Sequence, residues 1–304
     1  MTYCALVGWV MVTAPSCPAD GWARPGQPAP TEEPLILDTR NFSHFSKRIA
    51  QTPRLFTNYP HVFYDLVASL TPLRGDEMTF RLRNGYTIVS PNVDGARFPI
   101  YEIFADDAYH LDTMLAGLPD DVRVLDLGGQ IGCFSLAVAL HRPQARIHVY
   151  EASPTSASYV RRNVGANDLG DRITVHAKAM SGEEGTFTFV DSGTASGHNG
   201  LTAPEGLGQE VTVPSTTFDA AVKEMDGRVE VVKADVEGAE YDIILTSDPA
   251  SWATVQRVVM EYHPVEGHSL QELLDFFASV GLRPGEHDPG TRAGLGVIWL
   301  SRDV

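Results

Sequence analysis

Positive charge is scarce in this chain. Its 304 residues carry 23 lysines and arginines against 39 aspartates and glutamates, a formal net charge of −16. Nucleic acid and anionic membranes are bound through basic stripes or patches, so neither is expected as a bulk partner. Cysteine is scarcer still. Cys4, Cys17 and Cys133 form no C-x-x-C pair and no zinc-ligand spacing, which excludes a disulfide framework or a zinc ribbon as the organising element. Long apolar runs are missing too. The stretch from Ala5 to Ala14 is too short to span a bilayer. It also lacks the positive flank of a signal peptide, because the first basic residue is Arg24. These absences point to a cytoplasmic location. Two nucleotide motifs are absent as well: no G-x-G-x-x-G, and no glycine-rich loop ending in Gly-Lys-Ser/Thr.

What is present is concentrated between Val122 and His141. Residues 122–127 form a continuous apolar run broken only by Arg123 and Asp126, which reads as a buried strand. Gly128-Gly129-Gln130-Ile131-Gly132 comes next as a sharp turn, and residues 133–141 read as an apolar helix. Strand, glycine turn and helix make the first half of a parallel βαβ unit. Glycine tolerates positive φ and lets a backbone approach a ligand closely. The helix after the turn offers unpaired N–H groups to an anionic group. Asp126 lies at the carboxyl end of the strand, where ligands bind in open α/β sheets. A second strand, residues 146–150, ends in Glu151, the position from which an acid can hold ribose hydroxyls. The plainer reading of Glu151 is a solvated loop carboxylate. Ala152-Ser153-Pro154 then opens a helix over 154–166.

Before this unit, residues 15–34 are rich in proline and read as a linker. Short helices are expected over 42–51 and 61–70. Residues 78–83 and 86–89 alternate around Asn84-Gly85 and predict a hairpin. Residues 99–110 lead into a helix ending near Leu118. After the unit, strands are expected over 172–176, 229–233, 255–261, 283–287 and 296–301. Helices are expected over 238–246 and 269–280. Residues 186–190 and 209–213 read as an antiparallel excursion joined by a glycine-rich loop, which either closes over a substrate or is simply mobile. The fold class expected is α/β: a Rossmann-like, doubly wound, mostly parallel seven-stranded sheet with helices on both faces, preceded by a helical and hairpin cap.

A second dense signal lies at 230–245. Lys233, Asp235 and Glu237 end an apolar strand at period two, which would point all three one way in extended chain. Charges gathered there are costly unless paired or used. Simple pairing of Lys233 with Asp235 or Glu237 is the plainer alternative. Glu261 and His263 end the next strand, so the two strand ends can converge on one pocket.

Four motifs carry a resemblance: Asp126-Leu-Gly-Gly-Gln-Ile-Gly132, Tyr150-Glu-Ala-Ser-Pro154, Lys233-x-Asp235-x-Glu237-Gly238-x-Glu240 and Glu261-Tyr262-His263. With them, in that order, the chain resembles the FkbM-type S-adenosylmethionine-dependent methyltransferases over roughly residues 121–301. One departure stands in the turn, where Gly129-Gln130 replaces the family's usual Ala-Asn. The resemblance implies a methyltransferase domain over 120–304, a cap over 35–119 and a leader with linker over 1–34. It implies S-adenosyl-L-methionine as cofactor, held by Asp126, Gly128, Gly129, Gln130, Gly132, Glu151, Ala152 and Ser153. Tyr109 and Glu102 become candidates for the acceptor rim, with ordinary packing and capping as the alternative.

The implied reaction is O-methylation of a small molecule, such as a sugar, a polyketide or another secondary metabolite. His263 is the expected base, oriented by Asp235 or Glu261, with Lys233 nearby; His110 is the next candidate. A variant places Mg²⁺ or Mn²⁺ on Asp235, Glu261 and His263, since hard divalent ions favour oxygen-rich sites. A homodimer is the oligomer considered. Alternatives are methyl transfer to nitrogen or a carboxylate, a nicotinamide enzyme on a similar sheet, and a non-catalytic scaffold. The glycine spacing speaks against the nicotinamide enzyme. A scaffold predicts loss of Asp126 or Glu151, yet both are present.

Overall fold

A computed structural model describes residues 39–68, 75–93, 95–191, 209–290 and 294–302. The expected leader and linker, and the loop after Asp191, lie outside the described residues.

Seven strands form the central sheet: β1 (Arg123–Leu127), β2 (Arg146–Tyr150), β3 (Ile173–His176), β4 (Val231–Ala234), β5 (Arg257–Tyr262), β6 (Leu282–Asp288) and β7 (Gly296–Arg302). Their spatial order is β6-β7-β5-β4-β1-β2-β3. The strands from β5 to β3 run parallel, and β7 is antiparallel to both of its neighbours. This is the doubly wound sheet the sequence predicts. β4 is buried at every position, as a central parallel strand covered on both faces must be. The helix Cys133–His141 is apolar nearly all round, with seven buried residues, and it packs inside rather than presenting a wet face.

Chain direction over the sheet reverses between β1 and β4, the topological switch point at which open α/β sheets bind ligands. The parallel register there sets Asp126 opposite Lys233. Two opposite charges are thereby brought together beneath the crevice.

The N-terminal segment contributes helices Thr39–Leu55, Tyr59–Ala68, Phe98–Phe104 and Leu111–Met114 and a hairpin of Glu77–Arg81 with Thr87–Pro91. Its Phe56, Phe80, Ile100 and Leu115 share one core with Leu136, Ile147 and Val160 of the sheet layer. The hairpin's second strand docks on the helix Pro154–Ala166 through two asparagines. Asn163 and the nearby Asn167 each accept from and donate to the backbone, at Val89 and Thr87 respectively, over 2.7–3.0 Å. Two side-chain amides thus stand in for a neighbouring strand on an edge that would otherwise be open. The turn is wider than a two-residue Asn-Gly turn. Gly85 takes φ +98° and donates to the Leu82 carbonyl at 3.1 Å, while the Leu82 N–H bonds Tyr86. The glycine therefore occupies the left-handed position of a longer loop.

The expected excursion is present. Gly185–Asp191 pairs antiparallel with Gln209–Thr216, whose end pairs parallel with Ala179–Met180.

Candidate active site

A cavity of about 400 Å³ opens at the switch point, over the carboxyl ends of β1, β2, β4 and β5. One end is built from the glycine turn. Gly128 has φ +80°, and a Cβ there would lie 1.7 Å from the Asp235 carbonyl oxygen. The close approach that requires glycine is thus to the chain's own β4 end, not to a ligand as the sequence suggested. Gly128, Gly129 and Gln130 line the cavity with Glu151 and Ala152. The Glu151 carboxylate is fixed from both sides: Oε2 accepts from the Gln130 N–H at 2.7 Å and Oε1 from the Ser153 N–H at 2.9 Å. Burial pushes its pKa up to about 7, against the pull of those two N–H groups. Each oxygen keeps a further lone pair for a ligand hydroxyl.

Three residues expected to touch the cofactor stand behind the wall instead. Asp126 is wholly buried beneath the turn. Its Oδ2 accepts from the Ser135 hydroxyl at 2.6 Å, and its Oδ1 is 3.5 Å from Lys233 Nζ. Its carboxylate is held between the helix after the turn, through Ser135, and Lys233 of β4. Gly132 caps the helix Cys133–His141 at φ +89°. Ser153 caps the helix Pro154–Ala166, accepting from the Ser156 N–H, while its hydroxyl donates to Asp191 at 2.8 Å.

The other end of the cavity is acidic. Lys233, Asp235, Glu237 and Glu261 line it. Lys233 is 3.6 Å from Asp235 and donates to the Gly128 carbonyl. Burial opposes its charge, but Asp235 and Asp126 hold the ammonium well above the ordinary lysine range. β4 ends at Ala234 and Glu237 takes φ +52°, so the three charges do not share a face by simple alternation. They meet because the chain bends back over the glycine turn.

His263 is buried behind this end and does not line the cavity. Its Nδ1 is 2.9 Å from Glu240 Oε1; its Nε2 is 3.4 Å from Glu237 and 3.9 Å from Glu261. Burial opposes protonation, yet the Glu240 contact and the charges of Glu237 and Asp235 hold the imidazole up to about 9. These contacts favour the protonated ring, and they set His263 among carboxylates behind the wall rather than in the cavity where an acceptor would sit. Burial and Asp235 raise Glu237 to about 8 and Glu261 to about 7. The expected ion-binding set is also corrected: the ligand atoms that converge within 4.8 Å belong to Asp235, Glu237 and His263, not to Glu261. His110 lies elsewhere, stacked on Trp299 and 3.0 Å from Glu286.

The roof comes from the cap. Phe98, Glu102, Ile103 and Tyr109 line the cavity, and Tyr109 packs edge-on against Phe134 at 5.3 Å. Phe187 and Phe189 of the excursion close a further side. Sequence reasoning missed both phenylalanines as site residues, although their spacing of two puts them on one face of a strand. It also missed Tyr150, the last residue of β2.

An open, mostly parallel sheet with a glycine turn and a terminal acid at its switch point defines a Rossmann-like ligand site. The chain belongs to the FkbM methyltransferase domain family, whose model matches residues 126–284, and it is a methyltransferase. It is 28% identical over 242 residues to the 31-O-demethyl-FK506 methyltransferase FkbM of Streptomyces tacrolimicus, covering 69% of this chain and 91% of that one. Identity is also 28% over 196 residues to methyltransferase sdnD of Sordaria araneosa, covering 55% and 74%. Among solved structures, a methyltransferase FkbM from Methylobacillus flagellatus aligns over 86% of this chain and 59% of that chain, with 16% identity and a TM-score of 0.41. No helix among the described residues is long and apolar enough to cross a membrane.

Proposed function

We propose that the protein transfers the methyl group of S-adenosyl-L-methionine to a hydroxyl of a small molecule. The observation that carries this reading is a single cavity joining two unlike ends: the glycine turn with Glu151, and the acidic group of Asp235, Glu237 and Glu261. Glu151, already aimed by two backbone N–H groups, accepts from the ribose hydroxyls. The sulfonium is itself a reactive donor, so the protein's part is positioning and proton removal. Holding the acceptor oxygen in line with the methyl carbon is worth about 7–11 kcal/mol. The oxygen lone pair forms the new O–C bond as the C–S bond breaks, its electrons going to sulfur, and the hydroxyl proton passes to a wall carboxylate. Glu237 is placed for that step once it is ionised, above the value of about 8 to which burial raises it, with His263 and Glu240 positioning it from behind. Apolar walls from Phe98, Ile103 and Phe187 suit an acceptor with an apolar body. The Streptomyces tacrolimicus relative, a 31-O-demethyl-FK506 methyltransferase by name, supports an oxygen acceptor.

A divalent cation is a second reading. Glu240 takes Nδ1 of His263, which leaves Nε2 facing Asp235 and Glu237, the arrangement in which an outer carboxylate orients a metal-binding imidazole. Such an ion would acidify a bound hydroxyl.

Incubation with S-adenosyl-L-methionine and a panel of hydroxylated acceptors, read by mass spectrometry, tests the main reading. S-adenosylhomocysteine and an O-methylated product are expected. Failure of the protein to bind either form of the cofactor would overturn it. Turnover unchanged in excess EDTA would remove the cation.

A further inference from the structure

At the outer edge of the sheet, β2, β3 and the last residue of the helix Phe218–Glu224 bring two imidazoles and a carboxylate together. The parallel register pairs His148 with Thr174 and Tyr150 with His176, so the two imidazoles are diagonal neighbours on one face. Nε2 of His176 lies 3.3 Å from Nδ1 of His148 and 3.5 Å from Oε2 of Glu224. Each of the three residues offers a ligand atom within 4.8 Å of the other two. A tetrahedral Zn²⁺ with bonds of about 2.0–2.1 Å has edges of about 3.3–3.4 Å. The imidazole–imidazole contact has that length, and the contact with Glu224 is about 0.1 Å longer.

The surroundings hold the same atoms in place. The Tyr150 hydroxyl donates to Glu224 Oε2 at 2.8 Å, and the Tyr150 ring stacks on His176 at 4.4 Å with planes 6° apart. One residue thus fixes a carboxylate and an imidazole together, the service that outer partners perform at metal sites. Lys178 is 3.8 Å from the other oxygen of Glu224. A surface hollow of about 360 Å³ reaches His148 and Glu224 and gives a route in. Two of the three arginines lining it are engaged, Arg123 with Asp226 at 3.1 Å and Arg172 with the Ala139 and Pro143 carbonyls at 3.0 and 2.8 Å; Arg146 is the third.

We propose that His148 Nδ1, His176 Nε2 and Glu224 Oε2 bind a borderline transition-metal dication of the Zn²⁺ type, with a fourth position open to the hollow. Two imidazoles and one carboxylate suit zinc and its neighbours rather than Mg²⁺. The site is separate from the methyl-transfer cavity and does not rest on the reaction proposed there. Tyr150 touches both, since it also lines the cavity. An ion would therefore staple the helix end to the sheet edge and immobilise one cavity wall residue.

The test uses full-length protein stripped with a chelator, titrated with Zn²⁺ against a chromophoric competitor, and X-ray absorption of the resulting complex. One equivalent is expected to bind tightly enough to displace the competitor, with two imidazoles in the absorption spectrum. His148→Gln and His176→Gln should each weaken binding beyond the about 10–100-fold lost when only an outer partner is removed. His110→Gln, a histidine away from both clusters, should leave the affinity unchanged. A spectrum with one imidazole or none, loss of binding in His110→Gln, or an undiminished affinity in the double His148→Gln/His176→Gln variant would overturn the site. The wild-type spectrum needs no variant to fold, and thermal melting of the metal-free variants checks that they do.

Discussion

The two ends of the cavity are made of different materials. The glycine-turn end is backbone: a left-handed Gly128 pressed on the Asp235 carbonyl, and one carboxylate held by two N–H groups. The acidic end is side chains: Asp235, Glu237, Glu261 and Lys233 in the wall, with His263 and Glu240 behind them. A backbone site admits little variation, because its donors have no alternative rotamers. A side-chain site can be re-tuned residue by residue, since each charge is stabilised by its neighbours rather than by the fold. The fixed end suits a ligand that never changes, the cofactor. The adjustable end suits chemistry that must match a particular acceptor.

The largest expected effect separates the ends by function. Assayed above pH 8, where Glu237 is ionised, Glu237→Gln removes a proton acceptor and should lower kcat by about 10² to 10⁴-fold, while cofactor affinity measured by calorimetry stays within a few-fold. Equal losses in both would erase the distinction.

The next break concerns the ion pair that joins the ends. Lys233→Met leaves Asp126 buried without its cation and should cost about 3–5 kcal/mol in denaturant unfolding. Adding Asp126→Leu should give back part of that loss, because the two residues are directly coupled. Additive losses would mean the pair contributes nothing as a pair.

A smaller effect tests the backbone end. Gly128→Ala forces a side chain onto positive φ and onto the Asp235 carbonyl. Strain alone should cost about 1–3 kcal/mol, with the clash adding to it. Gly165, near the end of the helix Pro154–Ala166, has nothing within 4 Å of a Cβ. Gly165→Ala should stabilise by about 0.4–1 kcal/mol, the smallest change expected, read from the shift in the unfolding midpoint.

The same contrast explains what could be read from the sequence. β1, its glycine turn, the helix Cys133–His141 and β2 arise from apolar periodicity and glycine placement, which are local. Glu151 was legible because it ends a strand. Asp126 is read from the sequence as an acid at a strand end, but its partner Lys233 comes from a strand 107 positions on, which no local pattern announces. His263 looked like a free base because nothing local to it announces Glu240, which arrives from another element. Glu237 stands out in the sequence only as one charge of three. Its place in the wall depends on a left-handed bend after β4 that no local pattern announces. Tertiary electrostatics, not propensity, set the acidic end.

The central claim is that Glu151 holds the cofactor from a backbone-fixed position, and calorimetric titration with S-adenosylhomocysteine tests it most directly. Its pKa is raised to about 7 by burial, and ligand hydroxyls bind best to the carboxylate. The affinity should therefore be full above pH 7 and fall by up to about tenfold per pH unit below it, with proton release on binding. Glu151→Gln, whose amide oxygen can still accept from one of the two N–H groups, should bind about 10- to 150-fold more weakly at pH 8 and lose the pH dependence. Equal affinity in wild type and variant, or no binding by wild type, would contradict the account.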